Sequence, residues 1–404
     1  MTPATALAAF AGLLLLAIVL EPMGRRLHLP FAALLVVAGF AASEIGVWLL
    51  GDIGLRWQHF RDLVLYVLLP VLVFESALRL EPRALLRNLT WVLLFAVPLM
   101  GVAIAITALL IWLGIGHPAG FPWIAALMAG VLLSATDPVA VIALFRELGA
   151  PARLETVLEG ESLLNDAGAI VLFTFLVSLV EMPAAGSVAS LFTGFAWKLL
   201  LGALAGGGVG ALGWGLLRWI RRPVERAVIT VIAAFFAFYL GETVLHASGI
   251  VAVLVAGILV ACGLQGQKGE RQTFVRAFWA HHAYVANALV FLLLGATITL
   301  AMFTERWLAM VIGIGAVLLA RAVNVYGLVA LLGRLPRLAP ILPAHRHVLM
   351  FGGLRGAVTI ALALSLPVEL EGWWTVQSIA YGVVLFTLFV QAPLMRPLVS
   401  RVLR

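Results

Sequence analysis

From end to end the chain is built of apolar runs of about 17 to 28 residues, long enough to cross a hydrocarbon core as helices, separated by short turns carrying charge, proline or glycine. In lipid the backbone must satisfy its own hydrogen bonds, so repeated runs of this kind fold as a helical bundle. Of the 404 residues, 63% are hydrophobic and 11% are charged. A soluble domain carries about 25% charged residues. The pattern excludes a water-soluble fold. It predicts an all-α polytopic membrane protein, a single transmembrane domain over residues 1–404 with no soluble regulatory tail.

Thirteen spans are expected, near residues 4–20, 29–48, 62–80, 88–113, 121–146, 158–180, 196–220, 225–244, 249–264, 273–300, 306–333, 346–367 and 373–395. The first resembles a signal peptide in length but lacks a basic leading region and a small-residue cleavage pattern, so it is read as retained. When loops alternate sides, 20 of the 26 Lys and Arg fall on one side. Four (Arg56, Arg61, Lys198, Arg306) fall on the other, and Arg321 and Arg355 lie inside spans. Positive charge stays inside, so the N-terminus is expected outside and the C-terminus in the cytoplasm, in a cell (inner) membrane. The net charge of +7 is therefore an orientation signal rather than a nucleic-acid surface. The single cysteine, Cys262, lies in an apolar span and supports no disulfide framework.

Two spans are not uniform. Span 5 is interrupted by Asp137-Pro138, and span 12 by Phe351-Gly-Gly-Leu-Arg-Gly-Ala357. They lie seven spans apart, so they run in opposite directions. An inverted repeat follows, spans 1–6 against 8–13 with span 7 as linker, and its two discontinuous helices are expected to cross. Paired interruptions in inverted halves point to the binding site of a transporter. Span 7 is dense in glycine from Gly202 to Gly215, which reads as close helix packing or a dimer contact.

Ionisable residues inside spans are costly and mark ion or proton paths. Asp137 lies nine residues from Arg146, about 14 Å along a helix at 1.5 Å per residue. Arg355 lies nine residues from Arg346, and Arg321 sits 15 residues from Arg306 and 13 from Arg334. Asp166 falls at a similar level. Glu161/Asn165 and Ser162/Asp166 are i, i+4 pairs, so span 6 carries two adjacent polar columns. Pro138 displaces a helical hydrogen bond and should free carbonyls near Ser134, Ala135 and Thr136. With the Asp137 and Asp166 carboxylates and the Ser162 hydroxyl, these make an oxygen-rich site suited to a hard cation. Glu161 reads either as a further ligand or as half of an ion pair with an arginine. Arg321 and Arg355 read as structural or electrostatic, since like charge repels a cation. Glu75 and Arg79 read as an i, i+4 pair at the cytoplasmic boundary or as part of an ion entrance.

A carboxylate held away from water is costly when bare and is neutralised by either a proton or a cation. If only the neutralised form reorients, one cation exchanges for one proton. Asn165-Asp166, in place of two adjacent aspartates, leaves one exchanging carboxylate and predicts no net charge movement. No zinc-type Cys/His cluster, Ser/His pair or HExxH motif is present, so no cofactor and no enzyme activity is expected. The alternatives are exchange of K⁺ for H⁺ and, from another class, a cation channel, which would select with rings of carbonyls or charges.

These motifs resemble the sodium/proton exchanger family, in its electroneutral NhaP-type branch. The resemblance rests on Phe74-Glu-Ser-Ala-Leu78, Thr136-Asp-Pro-Val-Ala140, Glu161-Ser-Leu-Leu-Asn-Asp166, Ser248-Gly-Ile-Val-Ala252, Phe278-Trp279 with Asn287 and Gly295, Arg321, and Gly352-Gly-Leu-Arg-Gly356. It implies Asp166 as the shared cation and proton carboxylate, with Thr136, Asp137 and Ser162 helping to bind Na⁺ or Li⁺. It implies Glu161 paired with Arg321 and supported by Asn165, and Arg355 balancing charge where the broken helices cross. It further implies a moving core bundle (about 88–180 and 306–395), a scaffold (about 4–80 and 196–300), a homodimer, and a role in pH homeostasis. Relatives often carry an acid after the Phe-Trp pair; here Ala280-His281-His282 follows.

Overall fold

The computed structural model describes residues 11–12, 15–22, 30–50, 62–79, 82–116, 120–150, 152–181, 188–264, 270–334 and 341–402. Among them every regular element is a helix. Much of the first expected span, and the loop residues Arg25, Arg26, Arg56, Arg61, Lys268, Arg337 and Arg404, lie outside the described residues.

The principal helices are α1 (Phe31–Leu50), α2 (Leu69–Arg79), α3 (Pro82–Leu94), α4 (Met100–Gly114), α5 (Trp123–Leu132), α6 (Val139–Leu148), α7 (Ala152–Glu181), α8 (Val188–Trp219), α9 (Pro223–Tyr239) and α10 (Gly249–Leu264). After these come α11 (Glu270–Thr297), α12 (Leu300–Ala322), α13 (Pro343–Phe351), α14 (Ala357–Leu364), α15 (Trp373–Phe386) and α16 (Ala392–Val402). Among the described residues, seven continuous helical stretches are long and apolar enough to cross a membrane, and shorter apolar helices occur at Phe31–Ile45, Trp123–Leu132 and Gly249–Leu264.

Several long helices contain a widened, π-helical turn. Pro98 lies in the π-helical turn Phe95–Leu99 between α3 and α4. A proline in a helix interior removes one backbone hydrogen bond and crowds another carbonyl, and a widened turn absorbs that misfit. A second π turn, Val323–Leu328, extends α12 and carries the buried Asn324.

The interruptions expected in spans 5 and 12 fall between helices. α5 stops at Leu132 and α6 starts at Val139; α13 stops at Phe351 and α14 starts at Ala357. Pro138 immediately precedes α6, where a missing N–H costs nothing. The Asp137 carboxylate accepts the N–H of Val139, the first residue of α6, at 3.0 Å.

Helices α1, α2 and α8–α11 pack chiefly among themselves, with α8 against α10 and α1 against α11 as extensive contacts. The glycine-rich helix α8 shows why. A Cβ at Gly206 would strike the backbone of Ala252, and one at Gly202 or Gly210 would meet Ser248 or Ala256. Glycine at these i, i+4, i+8 positions lets the two backbones touch. Gly207 and Gly208 on another face of α8 meet nothing. Helices α3–α7 and α12–α16 form the other group, in which α4 contacts α5 and α12, α3 contacts α7, and α12 contacts α15. The groups meet through α10 and α2 on α7, and α11 on α14.

Candidate functional site

The two helix breaks face each other. The N–H of Asp137 donates to Leu354 O at 2.8 Å, so the first break is bonded to the second through the backbone. The side chain of Arg355 reaches the other way: its Nη1 donates to Ser134 O at 3.3 Å and Ala135 O at 2.9 Å. Thr359, on the first turn of α14, donates to Ala135 O at 3.4 Å. Gly356 sits against Asp137 so closely that a Cβ there would overlap the Asp137 side chain. Only glycine allows that approach at this position.

α7 supplies the third wall. Ser162 Oγ donates to Thr136 O at 2.5 Å, and the N–H of Thr136 donates to Asp166 Oδ1 at 3.2 Å. One column of α7, Ser162 and Asp166, thus grips the break at Thr136. Thr136, Asp137, Ser162 and Asp166 line one cavity of about 180 Å³ that extends past Asn287 to Glu75, Ser76, Arg79 and Glu159. Glu75 is buried and ion-paired with Arg79, on the wall of this cavity.

The other column of α7 faces elsewhere. Both carboxylate oxygens of Glu161 are held by Arg321: Nη1 donates to Oε1, and Nη2 to Oε2 at 3.3 Å. Arg321 also donates to Leu349 O from Nε at 3.1 Å and from Nη2 at 3.0 Å. The Glu161 side chain is 2% exposed and that of Arg321 11%. Glu161 and Asn165 line a second, much smaller chamber with Arg321, Asn324 and Arg355, not the cavity of Asp137 and Asp166.

The structure therefore brings Asp166, Asp137, Ser162 and Thr136 together and places Glu161 and Asn165 on the opposite side of the break. The carbonyls freed by Pro138 are hydrogen-bonded to side chains rather than left without partners. Ser134 O and Ala135 O are taken by Arg355, and Thr136 O by Ser162. Part of that bonding comes from a guanidinium of the second break. Thr359, Thr387, Asn324 and Gln391 were not singled out in the sequence. Thr387 Oγ1 lies 3.4 Å from the N–H of Arg355, Asn324 donates to Leu99 O at 2.7 Å, and Gln391 donates to Phe351 O at 2.7 Å. Their signal was a polar residue in an apolar run, which is too common to stand out alone.

Elsewhere, the indole of Trp279 donates to Thr230 at 2.8 Å and packs on Phe74, while His281 and His282 are exposed. Glu242 accepts the N–H of Gly249 at 3.0 Å and is half-buried. Among the described residues, no group of three or more His, Cys, Asp or Glu side chains is arranged to hold a resident metal.

Interrupted helices that meet around membrane-embedded carboxylates define a helical membrane transporter. The family model for the transmembrane sodium/hydrogen exchanger matches residues 11–401, and the chain belongs to that family of transporters, not enzymes. It is similar to the Na⁺/H⁺ antiporter ApNhaP of Aphanothece halophytica, with 34% identity over 93% of this chain and 70% of that protein. It is also similar to the low-affinity Na⁺/H⁺ antiporter NhaS1 of Synechocystis sp., with 35% identity over 90% of this chain and 68% of that protein. Among solved structures, the sodium proton antiporter MjNhaP1 of Methanocaldococcus jannaschii superposes with a TM-score of 0.83, covering 97% of this chain and all of that one. At 18% identity that likeness speaks to the fold alone.

Proposed function

We propose that the protein exchanges Na⁺ or Li⁺ for H⁺ across a cell membrane, one for one and without net charge, with Asp166 as the carboxylate that cation and proton share. The observation that carries this reading is the charge balance around the breaks. Three acids, Asp137, Glu161 and Asp166, face two arginines, Arg321 and Arg355. Arg321 is committed to Glu161, and Arg355 bridges the break that contains Asp137. Among these five groups one negative charge is left over, and one monovalent cation or one proton neutralises it. A bare carboxylate inside the membrane resists reorientation, so each crossing carries one of the two.

The sparse packing between the two helix groups supports alternating access, with residues of about 88–180 and 306–395 moving as a core against a scaffold of about 4–80 and 196–300. The two broken helices would cross at Asp137 and Leu354, in an inverted repeat of thirteen spans. The N-terminus would lie outside and the C-terminus in the cytoplasm, in a homodimer embedded in the inner-membrane bilayer. The relatives named as Na⁺/H⁺ antiporters support the choice of cation. Exchange of K⁺ for H⁺ by the same site is the second reading, since carboxylates alone do not set a preference by ion size.

The test is proton flux in proteoliposomes after addition of Na⁺, Li⁺ or K⁺, with the voltage clamped by valinomycin and K⁺ for the first two. Proton release driven by Na⁺ or Li⁺ and indifferent to the clamp is the expected result. Steady charge movement would refute the electroneutral stoichiometry, and the absence of cation-driven proton movement would refute exchange itself.

A further inference from the structure

Behind the Asp137–Asp166 cavity, on the far side of the break, lies the small chamber of about 20 Å³ lined by Thr136, Glu161, Asn165, Arg321, Asn324 and Arg355. Its polar lining is incomplete in a specific way. Among the described residues, three side-chain atoms here are buried without a hydrogen-bond partner: Asn165 Oδ1, Asn324 Oδ1 and Arg355 Nε. The parent residues are 4%, 3% and 6% exposed. The Asn324 amide is oriented by its donation to Leu99 O, so its free atom is the acceptor oxygen. Arg355 Nε–H can only donate.

We infer that this chamber holds one ordered water, bonded to Arg355 Nε, Asn165 Oδ1 and Asn324 Oδ1. Two acceptors and one donor are what a single water answers, since it offers two hydrogens and accepts one. At about 20 Å³ the chamber exceeds the roughly 10–15 Å³ that one water needs, and buried waters typically make about three such bonds. A dry chamber would leave all three groups with their full desolvation penalty, so the site favours occupancy. A cation is disfavoured by the two guanidinium groups on the walls. An anion is disfavoured by Glu161 and the two amide oxygens.

The water joins three residues that no direct bond connects: Asn165 on α7, Asn324 in the π turn that extends α12, and Arg355 in the second break. It sits one residue from Asp166 on α7, yet on the opposite side of the break from the transport cavity. It is therefore a fixed part of the core that helps aim Arg355 at Ser134 O and Ala135 O, rather than a water that travels with the substrate.

A density map of the protein in lipid nanodiscs, at a resolution that shows ordered waters, tests this directly. The expected result is one peak within hydrogen-bond distance of all three atoms. An empty chamber, a rearrangement that pairs the three atoms with each other, or a peak coordinated as an ion would overturn it. X-ray hydroxyl-radical footprinting in H₂¹⁸O is an independent check, because radicals form where water is bound. Met100 lines the chamber, whereas Met128 is buried in apolar surroundings. Oxidation of Met100 well above that of Met128 is expected, and equal protection of the two would count against a bound water.

Discussion

Replacing Arg321 with methionine isolates the dependence of the buried Glu161 on its counter-charge. The side chain makes four hydrogen bonds, two to Glu161 and two to Leu349 O. Its loss strands Glu161, whose side chain is 2% exposed, without a counter-charge. Removing one partner of a buried pair costs about 3–5 kcal/mol, because the remaining charge is still withheld from water. Glu161→Gln is milder: the amide oxygen still accepts from Arg321, which keeps both bonds to Leu349 O. The decisive variant combines Glu161→Gln with Arg321→Met. With both charges gone, the stranded carboxylate gives way to an unpartnered neutral amide at position 161, worth about 1–3 kcal/mol, while Leu349 O is unpartnered in both variants. The double variant is thus expected to be more stable than Arg321→Met alone by about 2 kcal/mol, the difference between those two ranges. Unfolding in mixed micelles of rising SDS fraction, followed by tryptophan fluorescence, measures it. A double variant no more stable than Arg321→Met would refute the claim that an uncompensated Glu161 is the source of the loss. Full stability in Arg321→Met would remove the structural role of the pair altogether.

Other perturbations probe the breaks and the packing. Asp166→Asn keeps an oxygen to accept from the Thr136 N–H, so the protein should fold normally and lose exchange in proteoliposomes; full turnover would remove the shared-carboxylate mechanism. Gly356→Ala pushes a methyl group into the Asp137 side chain, so Na⁺-driven proton flux should require a higher Na⁺ concentration for half-maximal rate, and an unchanged value would mean that this contact does not shape the site. Gly206→Ala drives a Cβ into the Ala252 backbone and should destabilise by about 1–3 kcal/mol as an overpacked contact, whereas Gly207→Ala meets open space and should be neutral or stabilising by up to about 1 kcal/mol on helix propensity. Equal thermal stability of these two variants would show that α8 and α10 do not approach as described.

Much of the site could be read along the chain because each clue was local. Asp137-Pro138 breaks a helix wherever it lies, since the proline has no N–H to give. Ser162/Asp166 and Glu161/Asn165 share faces of α7 because four residues make about one turn. A different kind of information was needed to place Arg355 and to separate the two columns of α7. Which carbonyls Arg355 reaches, and that Ser134 O and Ala135 O are not left open, depends on a break more than 200 residues away in sequence. That Glu161 turns toward Arg321 while Asp166 turns toward the cavity is likewise a matter of which neighbour packs on each face.

By itself the sequence determined the solvent this protein lives in, the helical class that lipid imposes, and the positions where helices had to break. Those outcomes follow from backbone hydrogen bonding and transfer energies, which act over a few residues at a time. Only the tertiary structure decided that the two breaks bond to each other, that Asp137 and Asp166 line a cavity while Glu161 is locked to a guanidinium, and that three residues with unpartnered polar atoms line one small chamber. Side-chain partners in a bundle are chosen by close approach between helices far apart in the chain, and no local pattern of residues carries that distance.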